Sequence, residues 1–239
     1  MKKNYSAIIK TIYTYIRILI FKTGFEDMFY LPYYILIRYN FIKQKITIDE
    51  NINFGPECNK FFENKLLNCK LYLEWGSGSS TLLADRKNIN YYSVESDKSF
   101  YKTLRKSLKN NNYFLKDFGI VASNSRPVLF TYTKFYYRKK AKEYAGDILH
   151  YLNEKNLIPD LILIDGRYRN LCALYLYKFL KDKKCSSTII IDDYVPRSYL
   201  YILGQLFDGQ IIGNQAVFTK LKEYKNIDEL IKIYSYDFR

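Results

Sequence analysis

The stretch Leu71-Tyr-Leu-Glu-Trp-Gly-Ser-Gly-Ser-Ser-Thr-Leu-Leu83 runs from an apolar, strand-like segment through two closely spaced glycines into a helix-like segment. Glycines at a strand-to-helix turn let the backbone approach a ligand closely, and the first N–H groups of the following helix have no partner inside it. A nucleotide-like ligand is therefore expected over Gly76, Ser77 and Gly78. The dinucleotide fingerprint needs a third glycine where Thr81 stands, and the carboxylate of Glu74 would repel a pyrophosphate. A P-loop needs Gly-Lys-Ser/Thr, which this loop lacks.

Working outward, short apolar runs alternate with amphipathic helical patterns from Lys70 onward. The strand candidates are Leu71 to Trp75, Tyr91 to Glu95, Tyr113 to Lys116, Leu161 to Ile164 and Thr188 to Ile191. Between them, Phe100, Leu104 and Leu108 mark one helical face, and Leu171, Leu174 and Tyr175 another. Strands alternating with helices predict a parallel sheet covered on both sides. Near the end, Gln210 to Gly213 and Ala216 to Leu221 flank Asn214-Gln215 and read as an antiparallel hairpin.

An acidic residue at position 74 suits a ligand with a cationic amino-acid end, and S-adenosylmethionine is such a ligand. The second strand ends in Glu95, 17 residues after Gly78, where a carboxylate can accept two hydrogen bonds from a ribose diol. The alternative is that Glu95 only caps the helix beginning near Asp97. With Glu74-x-Gly76-x-Gly78-x-Ser80 as first motif and Glu95 as second, residues 70 to 221 resemble the class I S-adenosylmethionine-dependent methyltransferases. The resemblance implies an α/β, Rossmann-like sheet of seven strands, mostly parallel and closed by the C-terminal antiparallel hairpin. It also implies a cofactor site that takes in Ser77, Ser80, Thr81, Asp165 and, past the third strand, Asp117. Ser80 stands where that family often has a third glycine.

After the fourth strand comes Asp165-Gly-Arg-Tyr-Arg169, and after the fifth Asp192-Asp-Tyr194. In open α/β sheets ligands bind beyond the carboxyl ends of the strands, so Asp165, Asp192 and Asp193 converge on one mouth. Three adjacent carboxylates repel one another unless a cation compensates, and Mg2+, a hard ion taking oxygen ligands, is the expected one. Otherwise Asp165 and Asp192 cap the following helices or bind Arg167 and Arg169. The pattern resembles the metal-dependent sugar O-methyltransferases of macrolide and aminocoumarin pathways. It is also similar to methyltransferase-like proteins associated with bacterial and viral surface glycans, which often carry His-Asp in place of Asp192-Asp193. These resemblances imply in-line attack of a sugar hydroxyl on the sulfonium methyl, with a metal lowering the hydroxyl pKa and Asp165 or Asp192 taking the proton. His150, the single imidazole, is a further candidate base. Arg167, Arg169, Tyr194 and Arg197 follow the same strand ends and are candidate acceptor contacts, the arginines for an anionic group.

The 239 residues carry 38 Lys and Arg against 24 Asp and Glu, a net charge of +14, and 48% hydrophobic residues, enough to bury a core. That composition excludes a disordered chain. Cys58, Cys69, Cys172 and Cys185 stand 11, 103 and 13 residues apart beside one histidine, which excludes a zinc finger and disfavours a disulfide scaffold. Residues 1 to 48 hold eight cations and two acids, interleaved with Ile8, Ile9, Ile12, Ile16 and Leu19 at helical spacing. The reading is a helical extension over residues 1 to 56 ahead of a methyltransferase domain over 57 to 239. The extension either packs as a cap or rests on anionic lipid. Lys10 and Arg17 break the run from Ile8 to Phe21, so no signal peptide is expected, and Met28 to Ile37, which contains Pro32, is about half of the roughly 20 residues a spanning helix needs. The expected location is cytoplasmic, and peripheral at the inner membrane face where the extension rests on lipid.

The expected acceptor is a sugar hydroxyl of a glycan, glycolipid or nucleotide-sugar. Lys134, Arg138, Lys139, Lys140 and Lys142, interleaved with Phe135, Tyr136 and Tyr137, raise the alternative of an RNA or DNA methyltransferase. Against it, Asp165-Gly-Arg-Tyr168 stands where base-amino methyltransferases typically carry Asn/Asp-Pro-Pro-aromatic. A non-catalytic partner in glycan assembly is the remaining alternative.

Overall fold

A computed structural model describes residues 46–118, 136–235 and 237. Almost all of the expected N-terminal helical extension lies outside them. Within them, the elements in order are α1 (Pro56–Asn68), β1 (Tyr72–Trp75), α2 (Ser79–Arg86), β2 (Tyr91–Glu95), α3 (Lys98–Arg105), β3 (Tyr113–Leu115) and α4 (Tyr136–Glu154). There follow β4 (Leu161–Ile164), α5 (Arg169–Lys183), β5 (Thr188–Ile191), a 3-10 helix (Ser198–Gln205), β6 (Phe207–Ile212), β7 (Gln215–Leu221) and α6 (Ile227–Tyr234).

The seven strands form one sheet in the order β3-β2-β1-β4-β5-β7-β6. β1 to β5 are parallel, β7 runs antiparallel to β5, and β6 closes the edge antiparallel to β7. The strand order reverses between β1 and β4, so the crevice beyond their carboxyl ends is where this topology places a ligand.

Successive residues of a strand face opposite sides, and the two cores follow that rule. Leu73, Trp75, Ile162, Ile164, Ile189 and Ile191 point to one face, which α4 and α5 cover. Tyr72, Tyr91, Leu161, Leu163, Ile190 and Val217 point to the other, where Phe62 and Leu66 of α1 pack against them. The central strands are therefore buried on both sides, which is why they read as mainly apolar runs, with Glu74 of β1 and Ser93 of β2 as buried polar exceptions. Helix α5 is enclosed on nearly all sides, with residues Arg169 to Leu174 all buried, so its apolar content exceeds a single stripe.

Two local expectations are corrected. The hairpin turn is Gly213-Asn214, and Gln215 belongs to β7, where it is wholly buried. Strand β6 begins three residues earlier than its apolar pattern suggests, because Asp208, Gly209 and Gln210 occupy an exposed edge with an irregularity between Asp208 and Gly209. The basic-aromatic stretch from Tyr136 onward forms the first turns of α4, where Lys139 and Lys140 pair with Glu143. Among the described residues no helix is long and apolar enough to cross a membrane.

Candidate functional site

The glycine loop leaves the end of β1 beside the end of β4, and the two turns touch. Gly76 has φ +93°, and a Cβ there would lie 2.6 Å from Cα of Gly166 and 2.7 Å from the carbonyl carbon of Asp165. Only glycine permits both that backbone conformation and that approach. At Gly166 a Cβ would overlap the Tyr144 hydroxyl and lie 2.9 Å from the Gly76 nitrogen. Helix α4 thus props both turns, since the Tyr144 carbonyl also accepts the Trp75 indole N–H at 3.0 Å. Gly78 differs: its φ of 176° suits any residue, and a Cβ there would meet nothing within 4 Å. Among the described residues nothing needs a glycine at position 78, and the space beside it is open.

Glu74 does not present its carboxylate to that space. It is wholly buried beneath the loop and accepts the hydroxyls of Tyr72 and Ser80, each at 2.6 Å, and of Thr81. Thr81 in turn accepts the Gly78 N–H at 2.9 Å. Burial raises the Glu74 pKa, and the hydroxyl hydrogen bonds oppose the rise. The expectation of a carboxylate facing a cationic ligand is corrected here. Glu74 shapes the loop from below, and Thr81, in the place of a third glycine, links it to Gly78. Ser77 bonds Ser93 of β2 at 2.6 Å, tying the loop to the neighbouring strand.

Glu95 ends β2 at the same rim. The cap of α3 is Asp97, whose carboxylate accepts the N–H groups of Ser99 and Phe100 at 2.7 and 2.8 Å. Glu95 is therefore not the helix cap. Its Oε1 accepts the N–H groups of Ser96 and Asp97 at 2.6 Å, and burial pushes its carboxyl up to about 7 against those bonds. Asp117 follows β3 on the next strand outward, half-buried.

On the β4 and β5 side, Asp165, Asp192 and Asp193 each place a carboxylate oxygen within 4.8 Å of the others, so the expected convergence is present. Burial pushes the Asp165 carboxyl well up, Arg169 pulls it down, and Asp192 and Asp193 add to the rise. Arg169 is not a surface charge. It is 6% exposed and its fork donates to the Gly166 carbonyl at 3.2 Å, to the Asp165 carbonyl at 3.0 Å and to the Asp192 carbonyl. The same guanidinium bonds Oδ1 of Asp165 at 2.8 Å and lies 3.6 Å from Oδ2 of Asp193. Arg197 bonds that Oδ2 as well and reaches the Tyr199 hydroxyl at 3.1 Å. From the β6–β7 turn, Asn214 donates to Oδ1 of Asp193 at 3.2 Å and the buried Gln215 to Oδ1 of Asp192 at 2.8 Å.

These residues do not fit a divalent ion. Four of the six carboxylate oxygens already accept hydrogen bonds from Arg169, Arg197, Asn214 and Gln215, and an ion at Oδ1 of Asp165 would have to share that oxygen with a buried guanidinium. The compensating charge foreseen for Mg2+ comes instead from Arg169 and Arg197.

The other candidates separate. His150 lies on the solvent face of α4 with its side chain 76% exposed, 3.3 Å from Glu154, and is not among the aspartates. Its neighbours Ile148, Leu149 and Leu152 are the ones turned inward. Tyr194 is 8% exposed and packs on Tyr201 and Phe218, which anchors the loop in the core. Arg169 is a brace, which leaves Arg167 and Arg197 as the half-buried guanidiniums at the mouth. Sequence reasoning missed Tyr144, Asn214 and Gln215; only the Asn214-Gln215 turn signal lay near any of them.

No known family model matches the chain, and no curated protein matches it. Among solved structures, it is similar to a methyltransferase-like protein from Silicibacter pomeroyi, with a TM-score of 0.61 and 20% identity over 83% of this chain and all of that one. It also superposes, less closely, on the O-methyltransferase from Bacillus cereus in complex with SAH, with a TM-score of 0.41 and 16% identity over 70% of this chain and 82% of the other. Strand order, the antiparallel closing pair and the first of these likenesses agree: the chain has the Rossmann-like fold of methyltransferase-like proteins.

Proposed function

We propose that the protein is an S-adenosylmethionine-dependent methyltransferase that methylates an oxygen, the hydroxyl of a sugar in a glycan, glycolipid or nucleotide-sugar. The observation that carries the reading is Gly78, whose missing side chain serves no packing need and opens a space at the switch point between β1 and β4. Glu95 on β2 borders that space with a carboxylate suited to a ribose diol. These residues fit the cofactor, which when bound supplies an electrophilic methyl group on a sulfonium sulfur.

The chain's own part is to orient the acceptor and take its proton. Asp192 and Asp165 stand one strand apart, across the β4–β5 pair that adjoins the glycine loop. Gln215 fixes the orientation of the Asp192 carboxylate, and Arg169 fixes that of Asp165. Asp165 and Asp192 present carboxylates to the same mouth, and one of them accepts the hydroxyl proton. Arg167 and Arg197 favour an acceptor with an anionic group such as a uronate or phosphate.

Calorimetric titration with S-adenosylhomocysteine tests the cofactor reading, and labelled methyl transfer to nucleotide-sugars, glycolipid extracts and RNA tests the acceptor. Binding together with labelled sugar product is expected. No heat of binding at millimolar ligand would refute the enzyme and favour a non-catalytic partner, while label in RNA would refute the sugar acceptor.

A further inference from the structure

The three clustered aspartates invite a metal, and the surrounding residues argue against one. Of their six carboxylate oxygens, Oδ1 of Asp165, Oδ1 of Asp192 and both oxygens of Asp193 already accept hydrogen bonds from Arg169, Gln215, Asn214 and Arg197. Arg169 is held by more than those charges. Three backbone carbonyls, of Asp165, Gly166 and Asp192, receive its N–H groups, so the guanidinium is fixed to the ends of both β4 and β5. A carbonyl-lined seat at 6% exposure is built for a planar cation with several donors, which a bare divalent ion is not.

We propose that Arg169 is the resident cation of this mouth: its guanidinium takes the place of a divalent ion, and the protein neither binds nor needs one there. The claim concerns the aspartate cluster alone and does not depend on which cofactor fills the glycine loop. Two consequences follow from the geometry. Arg169 is a positioning residue that sets the separation of the β4 and β5 ends, and its removal leaves three carboxylates uncompensated except by Arg197. Such a variant regains the character of a metal site.

Mn2+ is the probe, read by electron paramagnetic resonance of the free ion and by thermal unfolding after EDTA treatment. The wild-type protein is expected to leave 1 mM Mn2+ free and to unfold at the same temperature with and without it. Arg169→Gln is expected to unfold at lower temperature, to bind about one Mn2+ and to recover part of the lost stability when Mn2+ is added. Wild-type protein that binds one Mn2+, with binding abolished in Asp193→Ala, would overturn the proposal. So would a folded Arg169→Gln that gains no Mn2+ binding. Should Arg169→Gln not fold, Arg169→Lys keeps a cation while losing the fork. It is expected to stay free of Mn2+, and stoichiometric Mn2+ binding by the wild type remains decisive.

Discussion

Gly76 and Gly78 sit two residues apart in one loop, yet the structure assigns them opposite reasons for being glycine. At Gly76 an alanine must adopt φ +93° and place its Cβ 2.6 Å from Cα of Gly166. A left-handed backbone costs a non-glycine residue about 1–2 kcal/mol, and forcing a carbon into a packed contact costs about 1–3 kcal/mol, so Gly76→Ala should lose about 2–5 kcal/mol. For a chain of this size that lowers Tm by about 4–20 °C. At Gly78 the Cβ meets nothing and φ is already extended, so Gly78→Val should unfold within about 2 °C of the wild type. Its side chain instead occupies the space offered to the ligand. Overpacking by about 1–3 kcal/mol then weakens S-adenosylhomocysteine by roughly 5- to 150-fold. Differential scanning calorimetry and isothermal titration on the two variants supply both quantities. A Gly78→Val protein with wild-type affinity would place the ligand elsewhere. A Gly76→Ala protein as stable as the wild type would show that the two turns do not touch.

Two further outcomes can be measured directly. With the Glu95 carboxyl at about 7 in the free protein and the ionised form accepting the ribose hydroxyls, S-adenosylhomocysteine affinity should fall about tenfold from pH 8 to pH 6, and Glu95→Gln should bind weakly and flatten the profile. Because folding raises this pKa, the folded state holds the proton more tightly, so Glu95 favours folding at low pH and loses that contribution as pH climbs from about 4.5 to about 7. Glu95→Gln should therefore gain stability relative to the wild type at pH 8 and not at pH 4, as thermal unfolding at the two values will show. His150→Gln should leave cofactor affinity and methyl transfer within about twofold of the wild type, since an exposed helix-face imidazole paired with Glu154 contributes little; a hundredfold loss in transfer rate would return it to the site.

Much of the sheet was legible because β1, β2, β4 and β5 are buried on both faces, which leaves runs that are wholly apolar in β4 and in Ile189 to Ile191 of β5, and apolar apart from Glu74 in β1 and from Ser93 and Glu95 in β2. β6 was less so: an edge strand with Asp208, Gly209 and Gln210 facing water carries no such run. The convergence of Asp165, Asp192 and Asp193 followed from strand ends alone, since topology fixes where those ends lie. The alternative that these aspartates bind a following arginine holds for Arg169 and Asp165, but the burial of that arginine and the backbone carbonyls its fork meets did not follow, because side-chain direction decides them. Glu74 reads as a ligand for a cation because sequence cannot show that Tyr72, Ser80 and Thr81 surround it on one side of the loop. Gln215 resembles a turn residue and is a buried one, displaced by a single position in the hairpin register.

Tyr144 fills the space over Gly166 with its hydroxyl, while its carbonyl holds Trp75 just before Gly76. Three separate stretches of chain are thereby made to evolve as one. A larger residue at 166 demands a smaller one at 144, which alters the support of the first loop, and any change at 76 meets the second. Single substitutions within this contact carry that cost, whereas Arg167 and Arg197, half-buried past the same strand ends, lie outside it. A designer seeking a new acceptor should begin there and leave the Gly76–Tyr144–Gly166 contact intact.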